Sequence, residues 1–198
     1  INFITFDQYL DRWSEIYDVF SKDAVLRGSF DRYVQETKSK RGTTPVDAEF
    51  LKEIEGWRAT LAKNIAANNP RLSLDELNDA VQRTIDRIIF LRMAEDRGAE
   101  EYGRLASVAK RASVYKGLLE LCRDADAKYN SGLFDFSKDT LTPNLIIDDD
   151  KLSGILGDLY YPQSPYEFSV LAVNTLGNVY EQFLGKVIRL TAGHQAKI

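Results

Sequence analysis

The chain has 198 residues, 44% of them hydrophobic and 28% charged, proportions that suit a globular fold with a core of its own. Its net charge of -4 excludes a generally basic nucleic-acid binder and leaves room only for a local basic patch. One cysteine, Cys122, and one histidine, His194, exclude an internal disulfide and a Cys/His zinc centre within the chain, and they fit a reducing, cytoplasmic setting.

In chain order, the first expected helix opens with Thr5 and Gln8 as a capping box and carries Phe6, Tyr9, Leu10, Trp13, Ile16, Tyr17 and Phe20 at helical spacing. Short helical pieces follow at 23–26 and 30–36, broken by Gly28 and Ser29, and then an exposed basic loop, Lys38-Ser39-Lys40-Arg41-Gly42. Thr44-Pro45-Val46-Asp47 starts a long helix with proline at its first position. Val46, Phe50, Ile54, Trp57, Leu61 and Ile65 line one face of it, and Asn68-Asn69-Pro70 stops it.

A second capping box, Ser73-Leu74-Asp75-Glu76, launches the most apolar segment, LNDAVQRTIDRIIFLRMAEDRG, and Gly98 is placed to end it. Tyr115, Leu118, Leu119, Cys122, Ala125 and Tyr129 predict a further helix, followed by a turn-rich region at 130–150. Within that region Leu145-Ile146-Ile147 is a candidate short strand, although one strand makes no sheet. Leu152, Ile155, Leu156 and Leu159 predict a short helix ended by Tyr161-Pro162, and Ser164-Pro165-Tyr166-Glu167 opens a last long segment that Gly177 can divide. No run approaches the roughly 18 apolar residues needed to cross a membrane. The expected fold is all-α: an irregular bundle of about 7–9 helices forming one domain over 1–198, with a sub-boundary near 38–44.

Few residues carry chemistry. Glu36-Thr37-Lys38 matches the E-x-K half of a metal-dependent nuclease site, with Asp18 or Asp23 upstream. Such carboxylates must converge from adjacent strands on a divalent metal, and residues 30–35 have helical spacing instead. Ser164-Pro165-Tyr166 lacks the second proline of an amino-methyltransferase motif and reads as an N-cap serine before an N1 proline. No G-x-G-x-x-G and no P-loop occurs. Lys38, Lys40 and Arg41, with Arg27 and Arg32 nearby, are the best phosphate-contact candidates, an ordinary solvated loop being the plainer reading. Arg104, Lys110 and Arg111 form a weaker cluster of the same kind. His194 has no sequence partner for acid–base work, and its surroundings read as a surface tail.

On a helical wheel Arg92, Glu95 and Asp96 fall on the apolar side of their helix rather than opposite it. Their spacing allows Arg92 to pair with either acid. Burial without such pairing would cost several kcal/mol, so a structural charge network is expected there.

The stretch LNDAVQRTIDRIIFLRMAEDRG, with TFDQYLDRWSEIY before it and YNSGLFDF, LYYPQSPYEFSVL and LGNVYEQFLGKVI after it, resembles the helical region of type IIG restriction-modification enzymes. These are single chains that fuse a DNA endonuclease to an adenine-N6 methyltransferase, and the resemblance runs almost throughout. It implies a helical connector between an upstream nuclease and a downstream methyltransferase, a fragment of a longer protein that opens here on Ile1. The parent would use Mg²⁺ and S-adenosylmethionine and act on DNA. This fragment would hold no catalytic residue, cofactor or metal and would not be an enzyme by itself. The alternative is a stand-alone all-α scaffold that binds nucleic acid or protein.

Overall fold

The structure, a computed structural model, describes residues 8–29, 32–33, 46–164, 168, 188–191 and 193–197, with side chains from residue 50 onward in the third range. It divides into two compact units, Ile1–Val46 and Asp47–Ile198.

In the first unit α1 spans Trp13–Phe20 and α2 spans Lys22–Leu26. Residues 8–12 form turns, so the described helix begins later than the Thr5 capping box expected; Thr5 itself lies outside the described residues. Arg12 holds Glu15 one turn on, at 2.9 and 2.6 Å. Ser21 separates the two helices and caps the second, its hydroxyl accepting from the Ala24 N–H at 3.3 Å. Gly28, at φ +78°, ends the pair in a left-handed conformation that a side chain would oppose.

In the second unit α3 covers Val46–Asn68 and α4 covers Leu74–Asp96. At 1.5 Å per residue each is a rod of about 34 Å. The expected face of α3 is inside: Phe50, Leu61 and Ile65 are fully buried and Ile54 and Trp57 nearly so. Each such side chain contributes roughly 1.5–3 kcal/mol when removed from water. Ser73 and Glu76 form the capping box of α4, serine accepting from the Glu76 N–H and glutamate accepting from the Ser73 N–H. At the other end Gly98, at φ +69°, donates to the Glu95 carbonyl while Ala99 donates to the Ala94 carbonyl, the paired bonds of a Schellman stop.

Three shorter α-helices follow among the described residues: α5 at Arg104–Val108, α6 at Val114–Tyr129 and α7 at Asp149–Gly157. Neither α5 nor α6 has a hydrogen-bonding N-cap side chain of its own. A distant carboxylate does that work at α6, where Asp149 accepts from the Val114 N–H at 2.7 Å. Leu77, Ile85, Ile88, Leu105, Leu118, Phe134 and Phe168 fill the centre. Phe90 meets Tyr129 and Phe134 edge-on, at 5.2 and 5.1 Å between ring centres.

Leu145-Ile146-Ile147 is not a strand. It runs extended along the end of α3, where carboxamides take the place of a neighbouring strand. Asn69 donates to the Ile146 carbonyl at 2.9 Å and accepts from its N–H at 3.0 Å. Asn64 accepts from the Asp148 N–H at 2.9 Å and donates to its carboxylate at 2.6 Å. The strands are elsewhere: β1, Arg189–Leu190, pairs antiparallel with β2, Ala196–Lys197. At two residues each they are too short to show alternation in sequence. The fold is otherwise helical, as the periodicity predicts, and no helix among the described residues is long and apolar enough to cross a membrane. The helix expected after Ser164 falls almost wholly outside the described residues.

Candidate functional site

The second half of α4 is buried around much of its girth, which places two arginines inside the protein. Arg92, with its side chain 4% exposed, pairs with Asp96 one turn on and lies 3.6 Å from the Glu95 carboxylate. Its Nε donates to the Leu159 carbonyl at 3.1 Å. The guanidinium carbon stands 4.4 Å from the ring centre of Tyr160, 5.0 Å from that of Tyr102 and 5.3 Å from that of Phe168. A cation among three ring faces is favoured most where water is excluded.

Each acid has a second task. Asp96 accepts from the Phe168 N–H at 2.9 Å. Glu95 accepts from the N–H groups of Gly103 and Leu105 at 3.0 and 2.9 Å, and so caps α5, whose N-cap glycine has no side chain to offer. The Tyr160 hydroxyl donates to the same carboxylate at 2.5 Å and accepts from the Ala106 N–H at 3.2 Å. Burial, then this carboxylate, push the Tyr160 hydroxyl well above the usual tyrosine range, which keeps it a donor. The structure thus brings Arg92, Glu95 and Asp96 together, with Nε and Nη1 of the arginine and both carboxylates engaged.

The second buried arginine, Arg87, has no counterpart in the sequence reading. It donates through Nε to the Leu133 carbonyl at 2.9 Å, and through its two terminal nitrogens to the Thr142 hydroxyl and the Asp139 carboxylate, both at 2.7 Å. Phe136 stacks on it at 4.6 Å. Burial works to raise the Asp139 carboxyl, but hydrogen bonds from the Thr142 hydroxyl and N–H, and then Arg87, hold it below its ordinary value. One guanidinium therefore organises much of the turn-rich region at 130–144. Its partners lie 46–55 positions away, beyond the reach of any spacing argument; the lone signal was a charge amid the apolar run Ile85–Leu91.

The other candidates fare differently. Glu36, Lys38, Lys40 and Arg41 lie outside the described residues, as does Pro165-Tyr166. Asp18 and Asp23 lie on α1 and α2 in the first unit. Arg104 and Arg111 each form ion pairs at the surface, their side chains 30% and 47% exposed. Arg104 pairs with Glu100 and Asp124, and Arg111 with Glu120. Glu100 also accepts from Lys128 and Tyr129. Burial raises its carboxyl, but the bonds from Lys128, Tyr129 and Arg104 prevail and hold it at about 2. Nor is His194 on a free surface tail: it sits in the β1–β2 reversal with Nε2 buried. No group of three or more His, Cys, Asp or Glu side chains converges as a metal site among the described residues.

The described residues thus define an all-α domain whose internal charges are spent on its own architecture. Over 194 residues, 98% of its length, the chain is 37% identical to the type II restriction enzyme and methyltransferase RM.Eco57I of Escherichia coli. It spans 19% of that relative's length, so it is similar to one region of a fused restriction and modification enzyme, as its sequence motifs imply. No family model and no solved structure matches it.

Proposed function

We propose that the chain is the helical connector of a restriction-modification enzyme, joining a DNA endonuclease to an adenosylmethionine-dependent adenine methyltransferase and setting the distance between recognition and cleavage. The similarity to RM.Eco57I across nearly the whole chain carries this reading. The buried ion pairs at Arg87 and Arg92 support it, because they tie distant segments together and a spacer must hold its shape. Mg²⁺ and S-adenosylmethionine belong to the flanking domains, and no step through either is assigned to this chain. Lys38, Lys40 and Arg41 contribute non-specific contacts to DNA phosphates.

The test is made in the parent enzyme. A flexible insertion after Gly42 is expected to broaden the distance between the methylated site and the cut while methylation continues. An unchanged cut distance would overturn the spacer reading. Replacing Lys38, Lys40 and Arg41 by alanine should lower the salt dependence of DNA affinity, by a slope of up to about 3 for three phosphate contacts. An unaltered slope removes them from the interface.

A further inference from the structure

The β1–β2 ribbon sets two cations face to face. Arg189 and Lys197 are direct partners in its antiparallel register, and both are exposed. The next pair, Leu190 with Ala196, belongs to the other face and packs on the core. Residues directly opposite hold their Cβ atoms about 4.5–5.5 Å apart, and like charges so placed weaken a strand pair. With two residues in each strand, the ribbon has little pairing energy to set against that repulsion.

No carboxylate relieves it. Neither Arg189 nor Lys197 has an ion pair or a side-chain hydrogen bond among the described residues. Other arginines of the fold are matched: Arg83 with Asp79, Arg87 with Asp139, Arg111 with Glu120. The surrounding sequence has one sign. From Gln182 to Ile198 it carries Lys186, Arg189 and Lys197 and no Asp or Glu, in a chain with 30 acidic residues. An anion from outside would turn the repulsion into attraction for both cations at once. A phosphate suits them, since the guanidinium fork takes two oxygens while the ammonium acts as a point charge.

We infer that Arg189 and Lys197 clasp one backbone phosphate of duplex DNA, a contact point additional to the basic loop at 38–41. The inference rests on the connector reading, which supplies DNA as the ligand. With a net charge of -4 the chain as a whole repels a polyanion, so contact is confined to local cations of this kind. The contact positions the duplex and reads no bases.

The test titrates the whole chain with a short DNA duplex, by fluorescence anisotropy, from about 50 to 200 mM salt. The double variant Arg189→Gln, Lys197→Gln should lower the slope of log affinity against log salt by about 1, the share of one phosphate. Its thermal midpoint should not fall, because the variant removes a repulsion and no bond. Lys116→Gln, an exposed cation on α6, should leave the slope as it is. An unaltered slope in the double variant, an equal loss in Lys116→Gln, or no DNA binding at about 50 mM salt overturns the assignment. So does a pair that sets the slope for polyglutamate and not for DNA, the mark of an acidic protein partner. The connector reading is judged separately by cut distance and survives an idle pair.

Discussion

Glu95 and Tyr160, 65 positions apart, meet carboxylate to hydroxyl at 2.5 Å, and the same carboxylate receives the N–H groups of Gly103 and Leu105. One side chain therefore supplies the cap that α5 lacks and fixes the chain after α7. In Glu95→Gln one acceptor becomes an NH₂ facing N–H donors. We expect a loss of roughly 2–3 kcal/mol, against about 1–2 kcal/mol for Tyr160→Phe, which removes the hydroxyl's bonds to Glu95 and to the Ala106 N–H. Urea unfolding of both variants checks the order; a larger effect for Tyr160→Phe would contradict the capping role.

Arg92→Ala leaves Glu95 and Asp96 buried without their cation and empties the space among Tyr102, Tyr160 and Phe168. The expected destabilisation is about 3–5 kcal/mol, the usual result of breaking a buried pair from one side. Arg92→Met combined with Asp96→Asn should recover part of it, since both charges of the closest pair are then gone. A thermal midpoint unmoved by Arg92→Ala would place the charges at a surface instead.

Acid should act on Glu100. Its carboxyl is held at about 2 in the fold, below its ordinary value, so its stabilisation is complete above about pH 5 and is lost as pH falls towards 2. With Lys128 and Arg104 partly exposed, solvent screening reduces the contribution to the order of 1–2 kcal/mol. Glu100→Gln should flatten the fall in stability across that window and cost stability near neutral pH. Asp135, held at about 2 by Lys138 and Ser137, remains in the variant and keeps a residual slope.

Cys122 is 1% exposed, and burial pushes its thiol up to about 12. A thiol so buried and so fully protonated is inert in the folded protein. Ellman's reagent should label it only as fast as the second unit opens, with full labelling in denaturant. Rapid labelling under native conditions would show that α6 is not packed as described.

What could be read from the sequence was local. Ser73 with Glu76, Gly98, and the apolar positions of α3 and α4 announce themselves within a few residues, because caps and helix faces are short-range physics. The inward side of Arg92, Glu95 and Asp96 followed from the same periodicity. The partners of these charges did not. Arg87 finds Asp139 at a separation of 52 positions, and Asn64 finds Asp148 at 84; tertiary packing alone brings them together. The β1–β2 pair was missed because two residues per strand cannot show alternation, and with it went the shielding of the His194 Nε2 atom. The basic loop at 38–41 was legible as composition, and composition says nothing of what it touches.

Asn64 and Asn69 present both ends of a carboxamide to residues 146–148, imitating the edge of a sheet with side chains. The consequence is that neither position tolerates a carboxylate. Asn64→Asp or Asn69→Asp would keep an acceptor and lose the donor, set beside the Asp148 carboxylate or the Ile146 carbonyl. A change of one atom in either side chain would therefore loosen the extended stretch from the end of α3 and place like charge or lone pair against its partner.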